Sequence, residues 1–317
     1  TRPCGAGRTS RTTCSAPAPT PDQFGGSHPE ILSRFLDHLS QPELMMVRLA
    51  SYPLGITEPG MNRLAEAFMG GLARIDWGWL QRQSFLTEGT GNQRLMHALM
   101  RDALQQQEQR DRPEIFAAIH RFLFEQHDAI ARVDAIAGVT PAAEYALLQA
   151  AHHRRWFDEA GFFGWLGARV PVYRDAARTK MLEILFEDLV AYFGARRPET
   201  DSDLLTLRHN LAQQIGHQGR YAEAEAELRA IWEIWRRPEV LGEAHPDTLA
   251  TRNNLALQVG NQGRYAEAEA ELRVIWELLR RPEVLGEAHP HTLRTRYWLA
   301  RMLDAQDRRT EADALLD

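Results

Sequence analysis

The sequence predicts a mainly α-helical protein that contains one small β-hairpin and ends in a solenoid of stacked helix hairpins. The main observation is a repeat: residues 201–244 and 245–288 are identical at 32 of 44 positions. A fixed period of this size indicates stacked supersecondary units. Apolar residues recur at helical spacing through most of the remaining chain. Only residues 84–97 differ, because a Gly- and Asn-containing turn between two short segments favours a hairpin.

Composition narrows the range of functions. The 317 residues are 44% hydrophobic and 25% charged, which is typical of a protein with a sizeable core. No apolar segment is long enough for a membrane-spanning helix. The net charge of -6 argues against a dedicated nucleic-acid binder. Cys4 and Cys14 are the only cysteines and Lys180 is the only lysine, which excludes a disulfide scaffold, a four-cysteine zinc site and a phosphate-binding loop that ends in Gly-Lys. We expect a cytoplasmic protein.

The chain divides into four parts by composition and pattern. Residues 1–29 are rich in Pro, Gly, Ser and Thr and predict a disordered tail. Residues 30–137 predict several helices and the hairpin. Residues 138–200 predict a helical linker or degenerate repeat of two or three helices, with the Gly- and aromatic-rich bridge FFGWLGARV between AAEYALLQAAHHRRWFDEA and RDAARTKMLEILFEDLVAYF. Residues 201–317 predict the repeat array, with units 201–244 and 245–288 and an incomplete unit 289–317.

The second part has a recognisable order of elements. Helices are predicted over PELMMVRLAS, over TEPGMNRLAEAFM with Thr57 as N-cap, and over LARIDWGWLQRQ. The hairpin and the helix ALMRDALQQQ come next. This order, with Met96-His97-Ala98 after the hairpin, resembles the winged-helix segment that follows the nucleotide-binding core of STAND-class (NB-ARC and NACHT) regulatory ATPases. The resemblance implies that His97 corresponds to the histidine that contacts the nucleotide phosphate, although Ala98 replaces the family's aspartate.

A winged helix also raises the possibility of DNA binding. The predicted recognition helix carries Arg74 and Arg82 against Asp76, and residues 31–137 contain 11 Arg and 13 Asp or Glu. Because affinity for DNA depends largely on neutralising phosphates, this charge balance does not favour a DNA-binding surface.

Each repeat unit is predicted to be a pair of antiparallel helices. In the second unit, Pro246 suits a helix start and Gly263 suits the turn between the two helices. Apolar residues mark one stripe on each helix: Leu249, Leu255, Ala256 and Val259, then Tyr265, Ala268, Leu272, Ile275 and Leu279. Such a hairpin cannot bury its stripe alone, so it must stack on its neighbours.

The residues of these units resemble the tetratricopeptide repeat, in the long form known from kinesin light chains and bacterial STAND proteins. The resemblance rests on His245-Pro246-Asp247-Thr248-Leu249, Asn253-Asn254-Leu255-Ala256, Gly263-Arg264-Tyr265 and Val284-Leu285-Gly286. It implies a concave wall, formed by the first helices, that binds an extended peptide. A carboxamide suits this task because it both donates to and accepts from peptide groups.

The resemblance assigns candidate peptide-binding residues to equivalent positions of the three units. Asn210 and Asn254 occupy the position of the family's clamp asparagine, and Trp298 replaces it in the third unit. Asn253 and the recurring Arg208, Arg252 and Arg296 complete the candidate set. The alternative is structural: the arginines pair with acidic residues of an adjacent unit, and Asn254 bonds a local backbone group.

The sequence offers no pattern for catalysis, a cofactor or a metal ion. The twelve histidines include no HExxH motif, and the adjacent His152 and His153 point about 100° apart on a helix. No GxSxG motif is present. The sequence therefore predicts a non-enzymatic scaffold or sensor that binds a protein or peptide. Two alternatives remain: the C-terminal part of an ATP-dependent STAND switch, and a winged-helix transcriptional regulator. The incomplete third unit further predicts either self-association or a poorly ordered C-terminal end.

Overall fold

The computed structural model describes residues 34–70, 75–133 and 138–316, so the tail predicted over residues 1–29 lies outside the described residues. The fold is mainly helical, with one two-stranded sheet. The chain forms two compact units. The first comprises the residues up to Ile130 together with Gln149–Glu159, and the second comprises Ala131–Leu148 and the residues from Ala160 onward. None of the described helices is long and apolar enough to cross a membrane.

The described residues of the first unit form a helical segment over residues 34–37, and then five helices and a small antiparallel hairpin. In order these are α1 (Gln41–Ala50), α2 (Glu58–Phe68), α3 (Trp77–Leu80), β1 (Leu86–Glu88), β2 (Arg94–Met96), α4 (Ala98–Asp111) and α5 (Pro113–Ala131). Local chemistry starts two of them: the Thr57 hydroxyl accepts a hydrogen bond from the Gly60 N–H at 3.2 Å, and the Asp76 carboxylate accepts one from the Trp79 N–H at 2.8 Å.

The hairpin prediction is confirmed. Strands β1 and β2 pair antiparallel, with Leu86 opposite Met96 and Glu88 opposite Arg94. The buried ends of the strands join a core that also takes Tyr52 and Ile56 from the segment after α1. Other members of this core include Phe35, Val47, Met61, Leu64, Leu80, Leu104 and Phe116.

The helix predicted over residues 72–83 is wrong in length. Its described part is the four-residue helix α3, and residues 72–74 lie outside the described residues. Asp76 caps the helix immediately before Trp77, and Gly78 is a poor helix former, so only one turn forms. No recognition helix of the predicted length is therefore described.

The second unit is built from helices that pack in chain order. They are α6 (Pro141–Arg154, whose last residues belong to the first unit), α7 (Glu159–Asp175), α8 (Thr179–Gly194), α9 (Ser202–His217), α10 (Tyr221–Trp235), α11 (Pro246–Asn261), α12 (Tyr265–Leu279), α13 (Pro290–Asp304) and α14 (Arg309–Leu316). From α8 to α14 each helix packs on the next. Helix pairs α9–α10, α11–α12 and α13–α14 lie within residues 201–244, 245–288 and 289–317, respectively.

The bridge predicted between two helices of residues 138–200 is itself helical. The segment FFGWLGARV lies inside α7, with Phe162, Trp165, Leu166, Val170 and Tyr173 buried at helical spacing. Burial of this stripe outweighs the low helix propensity of the two glycines. Helices α7 and α8 thus form a hairpin that precedes the three units.

Candidate peptide-binding face of the repeat array

Successive hairpins of the second unit are joined by an ion-pair ladder. A glutamate of one hairpin accepts from an arginine at the start of the second helix of the next hairpin: Glu144–Arg178 at 3.2 Å, Glu183–Arg220, Glu225–Arg264 at 2.8 Å and Glu269–Arg308 at 2.6 Å. Gln218, Gln262 and Gln306 donate to the last three glutamates. The ladder therefore sets the stacking of α6 to α14, and it includes the α7–α8 hairpin as a repeat-like unit.

Three ladder glutamates, Glu183, Glu225 and Glu269, have lowered pKa values. Burial alone would raise the pKa of Glu183, but hydrogen bonds from Lys180, Gln218 and Arg220 lower it to about 2. The same opposition of burial and hydrogen bonding leaves the pKa values of Glu225 and Glu269 below their ordinary range. These three glutamates are thus charged at neutral pH.

Stacking leaves one face of each first helix open. On α11 most side chains are buried, and successive residues turn by about 100°, so Ala250, Asn254, Leu257 and Asn261 share a face that none of the buried side chains occupies. We call this face and its equivalents on α9 and α13 the open face. On α9 it carries Thr206, Asn210, Gln213 and His217, and on α13 Arg294, Trp298, Arg301 and Ala305.

Three predicted residues therefore line up at one position of the open face: Asn210, Asn254 and Trp298. Each is neither fully buried nor fully exposed. Trp298 packs its inner side on the cluster around Val259 and Leu299. The structure thus presents two carboxamides and an indole ring on successive helices, in the order that the repeat predicts.

Asn254 is held by a histidine that the sequence analysis did not single out. The Asn254 Nδ2 lies 2.9 Å from His209 Nε2, and the Gln213 Nε2 lies 2.8 Å from the same atom. Burial, with a smaller contribution from the charge of Arg174, lowers the pKa of His209 to about 4, so its ring is neutral near pH 7. The predicted bond from Asn254 to a local backbone group is replaced by this side-chain bond.

The recurring arginines point away from the open face. Arg208 pairs with Glu227 at 2.6 Å, and Arg252 pairs with Glu271 at 2.7 Å. A residue two positions before the asparagine lies about 160° around the helix from it. These pairs lie within one unit, whereas the structural alternative placed the partner in an adjacent unit. Arg296 has no equivalent acidic partner, because Leu315 occupies the position of Glu271 in the third unit.

Asn253 also lies off the open face. Its side chain is 3% exposed, and its Oδ1 accepts a hydrogen bond from the Thr295 hydroxyl at 2.9 Å. His209 and Thr251 make the equivalent contact one unit earlier. This position therefore joins neighbouring units.

Two arginines of the open face were missed by the sequence analysis. Arg294 and Arg301 are exposed on either side of Trp298, and neither forms an ion pair with another described residue. Equivalent residues in the earlier units are Thr206 and Ala250, and Gln213 and Leu257. These two arginines could have been found by comparing the repeat units at positions where their residues differ. The sequence prediction relied on positions where the units share a residue.

The first unit contains a histidine cluster that the sequence did not predict. His120 of α5 lies 3.0 Å from His153, measured between their Nδ1 atoms, and the ring of His152 is 5.0 Å from that of His153. Over the described parts of the chain, no group of three or more His, Cys, Asp or Glu side chains has a metal-binding arrangement. His97, the predicted nucleotide sensor, is exposed at the start of α4, with its N–H donating to the Phe85 carbonyl at 2.9 Å.

A match to a protein-family model covers the two helices that carry Asn210 and Asn254 on the open face. Residues 203–281 match the model of the tetratricopeptide repeat. The match covers α9 to α12, which carry Asn210 and Asn254, and it does not reach the first unit. This part of the chain is therefore a pair of tetratricopeptide units. No curated protein matches the sequence.

Solved structures with tetratricopeptide-like repeats are distant neighbours of the fold. One contains the nearly identical TPR-like repeats of a Podosopora anserina protein described as a putative kinesin light chain, with 20% identity, 67% of this chain and 88% of that chain covered, and a TM-score of 0.39. Another is BtubC (BKLC) from P. vanneervenii, with 14% identity, 88% and 89% coverage and a TM-score of 0.41. These likenesses are too remote to bear on function.

Proposed function

We propose that the protein is a non-enzymatic interaction scaffold whose open face binds an extended, acidic peptide segment of a partner protein. Tetratricopeptide units are in general protein-interaction modules, which supports the class of function. The observation that carries the specific proposal is the row Asn210, Asn254 and Trp298, with Arg294 and Arg301 beside the tryptophan.

Each part of the row has a task that suits an extended peptide. The carboxamides of Asn210 and Asn254 can bond peptide groups without requiring a particular side chain, so they give affinity and direction. Trp298 offers a flat apolar contact with an indole N–H at its edge. The two carboxamides therefore bind any peptide backbone, whereas Trp298 favours peptides with a residue that can pack on its ring.

The charge of the third unit favours acidic ligands. Arg294 and Arg301 are exposed without internal partners among the described residues, although the whole chain has a net charge of -6. A guanidinium binds a carboxylate through two parallel hydrogen bonds. Arg208 and Arg252 contribute indirectly, because their pairs with Glu227 and Glu271 fix the first helix against the second.

The proposal is tested with peptides selected on the intact 317-residue chain from a random phage-displayed library. We expect the selected peptides to be enriched in Asp and Glu, and the best of them to serve as a fluorescent probe. Arg294→Glu/Arg301→Glu should weaken its binding by about 10- to 100-fold, the effect of losing charged hydrogen bonds. Asn210→Ala/Asn254→Ala should weaken binding of acidic and neutral peptides alike.

A matched control separates this face from a general charge effect. Arg236→Glu/Arg280→Glu makes the same change in net charge at equivalent positions beyond α10 and α12, where the arginines lie over Trp232 and Trp276. We expect that variant to bind like the natural chain. Equal losses in both double variants, or a selection with no acidic preference, would contradict an acidic ligand on the open face.

We also propose that the first unit has a winged-helix arrangement related to that of STAND regulators. Support comes from the order of α1, α2 and α3, the hairpin, and α4, with His97 at the helix start. In this second candidate function, the chain would be the C-terminal part of an ATP-dependent switch working in the cytoplasm. A reading frame upstream of Thr1 that encodes a phosphate loop would support it. Retardation of DNA in a gel shift at physiological salt would instead favour a transcriptional regulator.

A further inference from the structure

Helix α12 presents an outer face whose central residues, Ala270 and Val274, are exposed. Its buried stripe is Ala268, Leu272, Ile275 and Leu279. The opposite side forms a shallow groove with an apolar row of Ala266, Ala270, Val274 and Leu278. Val274 is 46% exposed. Residues four apart form ridges that pack into the grooves of another helix, and small residues within such a ridge allow close approach.

A charged row runs beside the apolar one. Glu269, Arg273, Glu277 and Arg281 line the same groove, four residues apart and alternating in sign. If an identical helix lies antiparallel across a two-fold axis between positions 273 and 277, then Arg273 faces the second copy's Glu277, and the same pair recurs on the other side of the axis. Glu269 lies opposite Arg281, but its side chain is 12% exposed and already accepts from Arg308 and Gln306, so it adds no pair across the interface. An isologous interface requires this kind of self-complementary surface.

The exposure of this face does not depend on the number of hairpins stacked after α12. On α10 the equivalent residues Ala226 and Ala230 are exposed although α12 comes after them. The two faces differ in apolar content: Val274 replaces Ala230, and Leu278 is half-buried where Ile234 is buried. Of these two helices, α12 therefore combines the alternating charges with larger apolar side chains.

We propose that two copies of this chain associate through the outer faces of their α12 helices, packed antiparallel about a two-fold axis. Releasing Arg273 and Glu277 for the new pairs costs little, because their present ion pairs with Glu269 and Arg280 lie on the helix surface. Glu269 keeps its bonds with Arg308 and Gln306. One helix per copy gives an interface at the low end of specific interfaces, so the dimer dissociates on dilution. The association uses none of the open-face residues and is independent of peptide binding.

Sedimentation velocity of the intact chain over a wide concentration range tests the proposal. We expect monomer at about 1 μM and a rising dimer fraction towards about 100 μM, as a weak interface implies. Val274→Glu should remain monomeric at every concentration, whereas Ala230→Glu, an equivalent introduction of glutamate on α10, should associate like the natural chain.

A charge-reversal pair tests the geometry. Arg273→Glu places like charges opposite each other and should weaken association by at least about tenfold, while Arg229→Glu on α10 should not. The double variant Arg273→Glu/Glu277→Arg restores opposite charges across the axis and should recover dimerisation. Far-ultraviolet circular dichroism checks that all variants are folded.

Three results would overturn the proposal. One is a natural chain that stays monomeric at about 100 μM, far above the dissociation constant expected of a specific contact. Another is a double variant that remains as weak as Arg273→Glu. The third is association that survives Val274→Glu and disappears with Leu293→Glu, which would place the contact at the third unit.

Discussion

Three buried histidines of the first unit have strongly lowered pKa values. His120, His152 and His153 lie against one another, and each has an Nε2 atom without a hydrogen-bond partner among the described residues. Burial lowers the pKa of His120 to about 3, and Arg155 adds to the effect. Burial also lowers the pKa values of His152 and His153 well below the usual range, and their neighbouring histidines and Arg155 add to it. These rings are therefore neutral in the folded protein.

The first prediction concerns the pH dependence of stability. Above about pH 6.5, folded and unfolded states both hold these rings neutral, but below it the unfolded chain takes up protons that the folded chain does not. Stability should therefore fall as pH decreases from about 6.5 towards about 3. His153→Asn keeps a nitrogen or oxygen near His120 Nδ1 and removes one titrating group. The variant should reduce the slope of the free energy of unfolding against pH by about 1.4 kcal/mol per pH unit.

Urea unfolding at a series of pH values measures this slope. The difference between variant and natural chain near pH 8 gives the cost of changed packing, because no ring is protonated there in either state. Equal slopes for the two proteins between about pH 6 and pH 5 would mean that His153 is not shielded from protons in the folded state.

At the scale of single elements, the turn inside each hairpin of the second unit is set by one left-handed residue. Gly219 and Gly263 have φ of 83°, while Ala177 and Asp307 occupy the same place with φ of 55° and 61°. Glycine adopts this conformation freely, whereas a side chain makes it unfavourable by about 1–2 kcal/mol. The common turn is further evidence that α7 and α8 form a repeat-like hairpin.

The second stability prediction rests on this equivalence. Gly219→Ala should lower the free energy of unfolding by about 1 kcal/mol, and Ala177→Gly should raise it by up to about 1 kcal/mol. A Cβ at Gly219 would meet no atom within 4 Å, so the change isolates the backbone effect. Thermal and urea unfolding measure both variants.

Ala195→Gly is a suitable control, because Ala195 ends α8 with a right-handed φ of -75°. It should not stabilise the protein. A stabilising effect there as large as that of Ala177→Gly would mean that the left-handed backbone of Ala177 is not the cause.

At the scale of the whole molecule, the two compact units should respond to acid in a fixed order. The first unit holds His120, His127, His152 and His153 with lowered pKa values. In the second unit only His209 has a comparable shift among the histidines described. The ladder glutamates of the second unit lose their contribution to stability only at lower pH. Because the folded-state pKa of Glu183 is about 2, its contribution is present above about 4.5 and is lost as pH falls towards 2.

Hydrogen exchange with mass spectrometry checks this order. After correction for intrinsic exchange rates, amides of α1, α2 and α4 should lose protection between about pH 7 and pH 5, before those of α9 to α13. Glu183→Gln, which removes one charge from the ladder, should lower protection in α9 and α10 already at neutral pH. Simultaneous loss in both units, or earlier loss in the array, would contradict the assignment of the acid response to the histidines.

The helices, the turns and the repeat period of the fold could be predicted from the sequence, because each depends on a pattern of residues along the chain. Helical spacing, the 44-residue period, the turn glycines and the Gly-Asn turn of the hairpin each act over a few residues or recur in register, so the array and the hairpin were predictable. The one-turn helix α3 and the helical bridge in α7 were not, because propensity around Gly78, Gly164 and Gly167 is weak and burial decides the outcome.

Which side chains meet depends instead on the packing of the folded chain. The carboxamide row of Asn210 and Asn254 was predictable from the repeat, but the bond between Asn254 and His209 joins residues 45 positions apart. The glutamate–arginine ladder likewise links residues 34 to 39 positions apart. Such pairs depend on how one hairpin stacks on the next. The positions of residues along the sequence do not show which side chains this stacking brings together. The same stacking decides which side of each first helix stays open to a ligand.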